Sequence, residues 1–316
     1  MAENSKIEWC HHTFNPWRGC TKVSAGCDHC YAERDSKRFP AIRGVWGKYG
    51  TRVIASEAMW REPVKWNKKA AELGERHRVF CASLADVFEG PETMPDASWE
   101  AVSQARERLG QLIDDTPNLD WLLLTKRPEN VLKYGPLGHR WTMEGMPKNV
   151  WLGTSVEDQK TADERIPLLL KIPATVRFLS MEPLLGPVDL SMIYRDICDQ
   201  EHNIPVLFSN IDWVIAGGES GPQARPMHPD WVRSLRDQCI DAVVPFHFKQ
   251  WGEWVDEMHP VADSQKHRVS DIFTKPTDDG HDYYGFYMMK VGKRAAGRLL
   301  DGRTWDEFPE VSNGIR

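Results

Sequence analysis

Residues 121–128 read WLLLTKRP, an apolar run that ends abruptly in polar and cationic side chains. Short apolar runs of this kind are typical of strands that are covered on both faces of a parallel sheet. Other runs along the chain have the same character. The predicted strands are Thr13–Trp17, Val79–Ser83, Trp121–Thr125, Val150–Thr154, Val176–Ser180, Trp213–Ala216 and Pro245–Lys249.

Helical stretches separate most of these runs. Strands that alternate with helices favour right-handed crossovers, and such crossovers build a parallel α/β sheet. The predicted helices are Tyr31–Arg38, Glu62–Leu73, Ser98–Asp114, Thr161–Leu170 and Pro229–Ala242.

Polar or charged residues follow six of the predicted strands directly. Ser, Thr and Asp at such places often cap helices, but capping does not explain Lys-Arg-Pro at 126–128, Met-Glu-Pro at 181–183 and Gly-Gly-Glu at 217–219. In a (β/α) barrel the carboxyl ends of the strands carry the active site. The pattern therefore predicts an α/β fold, a partial or complete (β/α) barrel, with a functional rim.

The C-terminal part of the chain has a different composition. Residues 254–285 are rich in Asp, His, Pro and Gly, which predicts a long loop or an insertion. Residues 287–293 and 298–305 predict a small closing hairpin or cap. We therefore expect a barrel over 1–253, with the cysteine loop at 20–30, and a C-terminal insertion and capping segment over 254–316.

Composition bounds the class of protein. The chain has 316 residues, a net charge of −6 and 41% hydrophobic residues, which is typical of a soluble globular protein. It has no apolar run long enough to span a membrane and no signal-peptide pattern, so we expect a cytoplasmic protein without a membrane partner. Seven cysteines in such a chain favour reduced thiols over a disulfide framework.

Three of the cysteines form a Cys-x6-Cys-x2-Cys loop: Cys20, Cys27 and Cys30. Three thiolates at one metal centre leave a coordination position open for chemistry, as in a site-differentiated iron–sulfur cluster. The alternative is structural zinc, with Cys10, His11, His12 or His29 as the fourth ligand. Cys81, Cys198 and Cys239 lie in apolar or helical contexts, so we expect them to be buried and inert.

A basic and aromatic segment follows the cysteine loop. Residues 34–69 hold ten basic and three acidic residues, with Trp46, Tyr49, Trp60 and Trp66 interleaved. Such a segment could track phosphates and stack bases, although a solvated surface over an aromatic core has the same pattern. The acidic balance of the whole chain argues against tight nonspecific binding to DNA.

A series of motifs extends along nearly the whole chain, at residues 7–9, 13–16, 19–24, 27–33, 124–128, 153–157, 180–184, 217–221, 248–252 and 297–302. In this order the motifs resemble the phage-associated DUF5131 family, which is itself similar to a divergent branch of the radical S-adenosylmethionine (SAM) enzymes. The loop departs from the usual radical-SAM spacing of Cys-x3-Cys-x2-Cys, and Gly-Gly-Glu follows the sixth predicted strand instead of the second.

The resemblance implies a radical-SAM fold, a [4Fe-4S] cluster on Cys20, Cys27 and Cys30, and SAM on the open iron. An enzyme of this kind cleaves SAM to a 5′-deoxyadenosyl radical and needs an electron donor of the flavodoxin or ferredoxin type. The expected substrate is a nucleoside, nucleotide or nucleic acid, reached through residues 34–69 and then modified or repaired. The candidate SAM-binding residues are Asn15, Tyr31, Lys126, Arg127, Ser155, Glu157, Glu182, Gly217, Gly218 and Glu219.

Two other hypotheses use the same residues. A zinc-stabilised nucleic-acid-binding protein without catalysis would bind zinc and have no affinity for SAM. A barrel hydrolase would use the rim carboxylates, so that Glu182→Gln or Glu219→Gln abolishes turnover while Cys27→Ala leaves some activity.

Overall fold

The structure is a computed structural model that describes residues 2–3, 5–136, 141, 145–191, 210–261, 268–273 and 286–310. Cys198 and much of the predicted 254–285 loop lie outside these ranges. The chain divides into two compact units, of which unit 1 comprises residues 1–155, 163–180 and 210–212. Unit 2 comprises residues 156–162, 181–209 and 213–316. The boundary proposed at residue 253 stays a prediction.

The strands include six runs of five to seven residues with mostly buried side chains, β5 to β10 in the list that follows. In chain order the strands are β1 Ala2–Glu3, β2 His12–Thr13, β3 Trp17–Arg18, β4 Val53–Ile54, β5 His77–Cys81, β6 Leu119–Thr125, β7 Val150–Ser155, β8 Val176–Met181, β9 Trp213–Gly217, β10 Phe246–Gln250, β11 Trp254–Asp256, β12 Arg268–Phe273 and β13 Phe286–Lys290.

The helices occupy the connections between strands, close to their predicted positions. They are α1 Tyr31–Arg38, α2 Pro40–Arg43, α3 Glu57–Leu73, α4 Asp96–Asp114, α5 Val131–Tyr134, α6 Gln159–Leu170, α7 Pro229–Asp241 and α8 Lys293–Ala296. None of these helices combines the length and the apolar character that crossing a bilayer requires.

Hydrogen bonds order the main sheet β1-β2-β5-β6-β7-β8-β9-β10. From β2 onward the strand order is the chain order, and the register of neighbouring strands is parallel wherever it is defined. A sheet wound in one direction with helical crossovers is the arrangement of a (β/α) barrel, and here the end strands β2 and β10 are not neighbours in the sheet order. The predicted α/β class is confirmed in its partial-barrel form.

Burial explains why the middle strands were visible in the sequence. Every residue of β7 is buried, and β6 is buried at all positions except Leu124. Helix α3 covers the sheet of unit 1 with a narrow apolar stripe: Trp60, Pro63, Trp66 and Ala70 are buried at helical spacing. Both faces of these strands are thus covered, as the continuous apolar runs predicted.

The first predicted strand, Thr13–Trp17, is wrong in its bounds. Only His12–Thr13 pairs with β5, whereas Trp17–Arg18 turns away and pairs antiparallel with Val53–Ile54. The apolar run was read as one strand because Phe14 and Trp17 are both buried. The partner of each half decides where the strand breaks, and a partner some 35 residues away leaves no local signal.

The region 254–285 was predicted to be a long loop or an insertion. Where the structure describes it, it contains strands, so the long loop is wrong and the insertion stays a prediction. Residues 254–256 form β11 and residues 268–273 form β12, and both pair antiparallel with β13. Strand β13 lies within the predicted closing hairpin, but it is the central strand of a three-stranded sheet. The polar composition of this region hid strands whose pairing is set by tertiary contacts.

Candidate functional site

The three cysteines lie in unit 1, in the loop that leaves β3. Gly19 opens the loop with φ +111°, and a Cβ there would stand 2.6 Å from a backbone carbonyl oxygen, so only glycine fits. Cys20 follows directly, a 3-10 turn over Ala25–Cys27 carries Cys27, and Cys30 immediately precedes α1. Sequence and local geometry therefore keep all three in one short loop.

The three thiols are free and half-buried. Burial raises the pKa of Cys20, with a further contribution from Glu89, and burial also raises the pKa of Cys30. The charge of Cys27 raises the pKa of both other thiols. The three thiols therefore share one partly buried loop.

The loop supplies donors but not a closed metal cage. Within the part of the chain that the structure describes, no three His, Cys, Asp or Glu side chains are arranged to hold a metal ion. The chemistry of the donor set nevertheless fits an iron–sulfur cluster, because three free thiols from one loop are the usual protein ligands of such a group. The same three thiols also fit zinc.

Arg127, at the carboxyl end of β6, is anchored beside Cys20. Its guanidinium lies 3.0 Å from an Asp86 oxygen, donates to the Thr21 carbonyl at 2.7 Å and stands 3.9 Å from the Cys20 sulfur. Burial lowers the pKa of Arg127, but Asp86, Cys20 and Glu89 outweigh that effect and raise it. Arg127 is one of the candidate SAM-binding residues, and that role stays a prediction. The structure shows that its guanidinium places a positive charge next to the first cysteine.

A second buried guanidinium supports this arrangement. Arg52 donates twice to Glu89, at 2.9 Å to each oxygen, and both side chains are fully buried. Glu89 also accepts from the backbone N–H of Thr21 at 2.8 Å and lies 3.7 Å from Arg127. Two arginines and two carboxylates thus hold the backbone that follows Cys20.

Asn15 and Tyr31 converge on the residues that follow β5. The Asn15 amide donates to the Ser83 hydroxyl at 3.1 Å and accepts from the backbone N–H of Leu84 at 2.7 Å. The Tyr31 hydroxyl donates to the Ser83 carbonyl at 2.7 Å, although the tyrosine side chain remains 47% exposed. Both predicted site residues therefore sit at the same rim as the cysteine loop, and Tyr31 is open to solvent.

The other unit 1 candidates hold neighbouring strand ends. The backbone N–H of Lys126 donates to Asp86 at 3.1 Å, and the Thr125 hydroxyl donates to both oxygens of the same carboxylate. Ser155 ends β7 and is buried, and its carbonyl accepts from Arg165 at 2.7 Å.

In unit 2, Glu182 forms a polar cluster with residues at the end of β10. The Lys249 amine donates to both Glu182 oxygens at 2.7 Å, and the Gln250 amide donates to Glu182 at 3.2 Å and to the Ser220 hydroxyl at 2.9 Å. The β9–β10 register shifts between Phe248 and Gln250. A bulge at Lys249 re-aims its side chain, as bulges near functional sites often do.

The other two predicted carboxylates of unit 2, Glu219 and Glu157, are buried. Glu219 forms an ion pair with Arg225, with hydrogen bonds of 2.6 and 2.9 Å, and also accepts from the Arg225 backbone N–H at 2.8 Å. Glu157 is fully buried. Its backbone N–H donates to the Thr161 hydroxyl, and its backbone carbonyl accepts from the N–H of Leu185. Glu182 is the more accessible of these three predicted carboxylates.

Gly217 and Gly218 have different surroundings. A Cβ on Gly218 would stand 1.9 Å from the Trp251 carbonyl oxygen, and a Cβ on Gly252 would meet the Glu219 carbonyl at 2.2 Å. Two backbone segments therefore pack directly against each other here. At Gly217 the nearest atom would be 3.4 Å away, an ordinary contact, and the Glu182 carboxyl carbon would lie at 3.6 Å. Only Gly217 leaves room beside the Glu182 cluster.

We expect Gly218→Ala to destabilise the protein by at least about 2 kcal/mol, because a backbone carbonyl must move to admit the methyl group. Gly217→Ala is the matched control and should change the free energy of unfolding by less than about 1 kcal/mol. Urea unfolding followed by tryptophan fluorescence measures both. Equal losses in the two variants would contradict the close backbone packing.

His11 and His12, considered as zinc ligands, pack against the start of β5 instead. His12 Nε2 lies 3.1 Å from His77 Nδ1, and the His12 ring stacks on Trp66 with centroids 4.3 Å apart. His11 accepts from the backbone N–H of Arg78 at 2.8 Å. Burial, with the neighbouring cationic and imidazole groups, lowers the pKa of His11 and of His12 to about 4.

This histidine cluster predicts an acid-sensitive fold. In the unfolded chain both histidines bind protons as the pH falls below 6.5, whereas in the folded protein they do so only near pH 4. The contribution to stability is therefore complete above pH 6.5 and falls progressively below it. We expect a loss of more than about 1 kcal/mol by pH 5. Chemical denaturation across this range measures the free energy of unfolding, which should depend less steeply on pH in His12→Phe than in the unchanged protein. Equal pH dependence in the two proteins would show that the histidine cluster is not the cause.

Sequence reasoning missed several residues of these clusters. Ser83 and Asp86 follow β5, and Ser220, Lys249 and Gln250 follow β9 or end β10. All five stand at strand ends, which was the signal used for the residues that were chosen.

Cys81 and Cys239 are buried as predicted, and burial raises the pKa of both thiols.

Fold and site together define an α/β protein with a parallel sheet and a three-cysteine loop among the polar strand ends of unit 1. The family model of DUF5131, described as a protein of unknown function, matches residues 4–309. The chain belongs to this family. No curated protein matches it. Among solved structures, a cysteine-to-alanine mutant of spore photoproduct lyase has a TM-score of 0.43 and 10% identity, over 92% of this chain and 71% of that one. A likeness at this level does not establish a common activity.

Proposed function

We propose that this protein is an iron–sulfur-dependent radical SAM enzyme that acts on a nucleoside, nucleotide or nucleic acid. One observation carries the proposal: three free, half-buried thiols share one short loop, at residues 20, 27 and 30. Three thiols at one centre leave a position open, as a reacting cluster requires and a purely structural site does not.

Cys20, Cys27 and Cys30 would hold the cluster. When bound, such a cluster supplies the electron that reduces the SAM sulfonium and breaks a carbon–sulfur bond. The fixed guanidinium of Arg127, 3.9 Å from the Cys20 sulfur, offsets the negative charge of a thiolate-bound centre. The ion pair of Arg52 with Glu89 holds the backbone after Cys20 in place.

The family resemblance is what proposes Glu182 and Gly217 for SAM binding. Within unit 2, the Glu182 carboxylate pairs with the Lys249 ammonium at 2.7 Å, a charged pair that can bind polar groups of a ligand. Gly217 leaves space beside this pair. Asn15, Tyr31, Lys126, Ser155, Glu157, Gly218 and Glu219 remain candidates for supporting the site.

The rest of the proposal comes from the family resemblance. It includes an electron donor of the flavodoxin or ferredoxin type and an association with phages. A cytoplasmic location is proposed beside these, from the sequence pattern and not from the resemblance.

The test is anaerobic purification and reconstitution with iron and sulfide, followed by metal analysis, an optical spectrum and reduction in the presence of SAM. About four irons per chain and release of 5′-deoxyadenosine would support the proposal. A colourless protein that holds one zinc and does not cleave SAM would overturn it in favour of the zinc-stabilised binding protein. The Glu182→Gln variant should bind SAM more weakly in equilibrium dialysis while keeping its iron.

A further inference from the structure

The basic segment at 34–69 divides into two parts with different environments. In the later part, Trp60 and Trp66 are buried and Arg52 is committed to Glu89. Lys65 pairs with Glu62, and Lys69 lies 3.5 Å from Glu3. This part is a core-packing helix whose lysines have acidic partners, and its buried rings are not open to bases.

The earlier part, residues 31–49, exposes large apolar side chains. Exposed rings and aliphatic groups this close together usually mark an interaction site. The exposed fractions range from 45% to 87%, for Tyr31, Phe39, Ile42, Val45 and Tyr49. Tyr49, at 87%, presents its ring almost entirely to solvent.

The same segment carries uncompensated positive charge. It holds five basic and two acidic residues, a net charge of +3. Of the cations, Arg34, Arg38 and Lys48 are exposed and form no ion pair with any residue that the structure describes. Both acidic side chains, in contrast, have basic partners within the described chain.

Helical spacing puts one ring and two cations on the same side of α1. Tyr31, Arg34 and Arg38 recur at i, i+3 and i+7 of α1, whereas the helix buries Ala32 and Ser36. The Arg38 guanidinium carbon lies 5.3 Å from the centre of the exposed Phe39 ring. Cations interleaved with exposed rings are the elements that bind phosphates and stack bases.

This face is joined to the cysteine loop. Tyr31 follows Cys30 in the chain, and the backbone N–H of Gly47 donates to the Cys20 carbonyl at 2.9 Å. Arg18 donates to the Ile42 carbonyl at 3.1 Å. A ligand on residues 31–49 would therefore lie next to the proposed reaction centre.

We propose that residues 31–49 bind single-stranded nucleic acid, with bases stacked on Tyr49 and Phe39 and phosphates at Arg34, Arg38 and Lys48. A single strand fits because exposed rings can stack only on bases that are not already paired and stacked. The net charge of −6 on the whole chain disfavours long phosphate tracking along a duplex. The inference deepens the proposed function by naming its substrate class, but binding itself needs no cofactor.

Fluorescence anisotropy of the full-length chain with labelled oligothymidine of about 15 nucleotides tests the proposal, with oligouridine to separate DNA from RNA. The double variant Arg34→Ala/Arg38→Ala should weaken binding about tenfold at about 0.1 M salt. Tyr49→Ala should weaken it about fivefold or more. Lys65→Ala/Lys68→Ala is the matched control: it removes two exposed charges from α3 and should change affinity less than about twofold.

Several results would overturn the inference. These are absence of oligonucleotide binding, equal losses in the test and control double variants, equal affinity for a matched duplex, or binding only to anionic phosphatidylserine vesicles. Iron content and SAM cleavage are measured on the same preparation. A chain that cleaves SAM but binds no oligonucleotide would keep the proposed enzyme class and lose this surface. A chain that binds the oligonucleotide but holds no iron would keep this surface and lose the proposed enzyme class.

Discussion

Replacing Cys27 with alanine is expected to remove the bound iron and to reduce SAM cleavage to background. Cys27 is the middle thiol of the loop and the one whose charge acts on both others. A centre held by two remaining thiols cannot keep the three-cysteine coordination on which the open iron depends. Iron per chain, the visible spectrum and 5′-deoxyadenosine release after reconstitution measure the effect.

Cys239→Ala is the control for this experiment. Cys239 is a free thiol in α7, fully buried in unit 2, and its loss should leave the iron content and the spectrum unchanged. Substantial turnover in Cys27→Ala, together with an inactive Glu182→Gln, would instead point to a hydrolase that uses its carboxylates. That outcome would contradict the radical mechanism directly.

Glu89→Gln is expected to destabilise the protein by about 3–5 kcal/mol, because it removes one partner from a fully buried ion pair. Arg52 would lose a bidentate carboxylate, and Arg127 would lose a second anionic neighbour at 3.7 Å. Burial raises the pKa of Glu89, and the two arginines oppose that rise. The carboxylate is thus retained by the guanidinium groups that it neutralises.

Glu57→Gln is a matched comparison, because Glu57 makes the same two-fold contact with Arg108 at the surface. Water screens the Glu57–Arg108 pair, so the midpoint of urea unfolding of the Glu57→Gln variant should hardly differ from that of the unchanged protein. The Glu89→Gln variant should also lose iron more readily, since Glu89 accepts from the backbone N–H that follows Cys20. Similar unfolding midpoints for the two variants would show that the buried pair does not stabilise the loop.

Much of the fold could be predicted because its signals are local. Strands β6 to β10 each match their prediction within two residues at either end, since each is a short apolar run buried on both faces. Helix α1 has the predicted bounds. The failures, at β3 and at the three-stranded sheet, are places where pairing with a distant segment decides whether residues form a strand.

The strand-end pattern chose candidate site residues but not their partners. It chose Glu182 and Arg127, and the structure shows that they pair with Lys249 and Asp86. It also treated Gly217 and Gly218 alike, although only Gly218 is required by a close backbone contact. A residue type and its place in the chain indicate what a side chain can do, whereas its neighbours decide what it does.

The sequence by itself determined the alternation of strands and helices, the free thiols at 20, 27 and 30, and the basic composition of residues 34–69. These properties depend on spacing within a few residues, which periodicity and turn chemistry encode directly. Only the tertiary structure decided that Arg127 stands beside Cys20 and that Tyr49 is exposed while Trp66 is buried. Strand pairing and helix packing bring together residues that are far apart in the chain, and the burial that results determines which charges must pair and which rings remain open to a ligand.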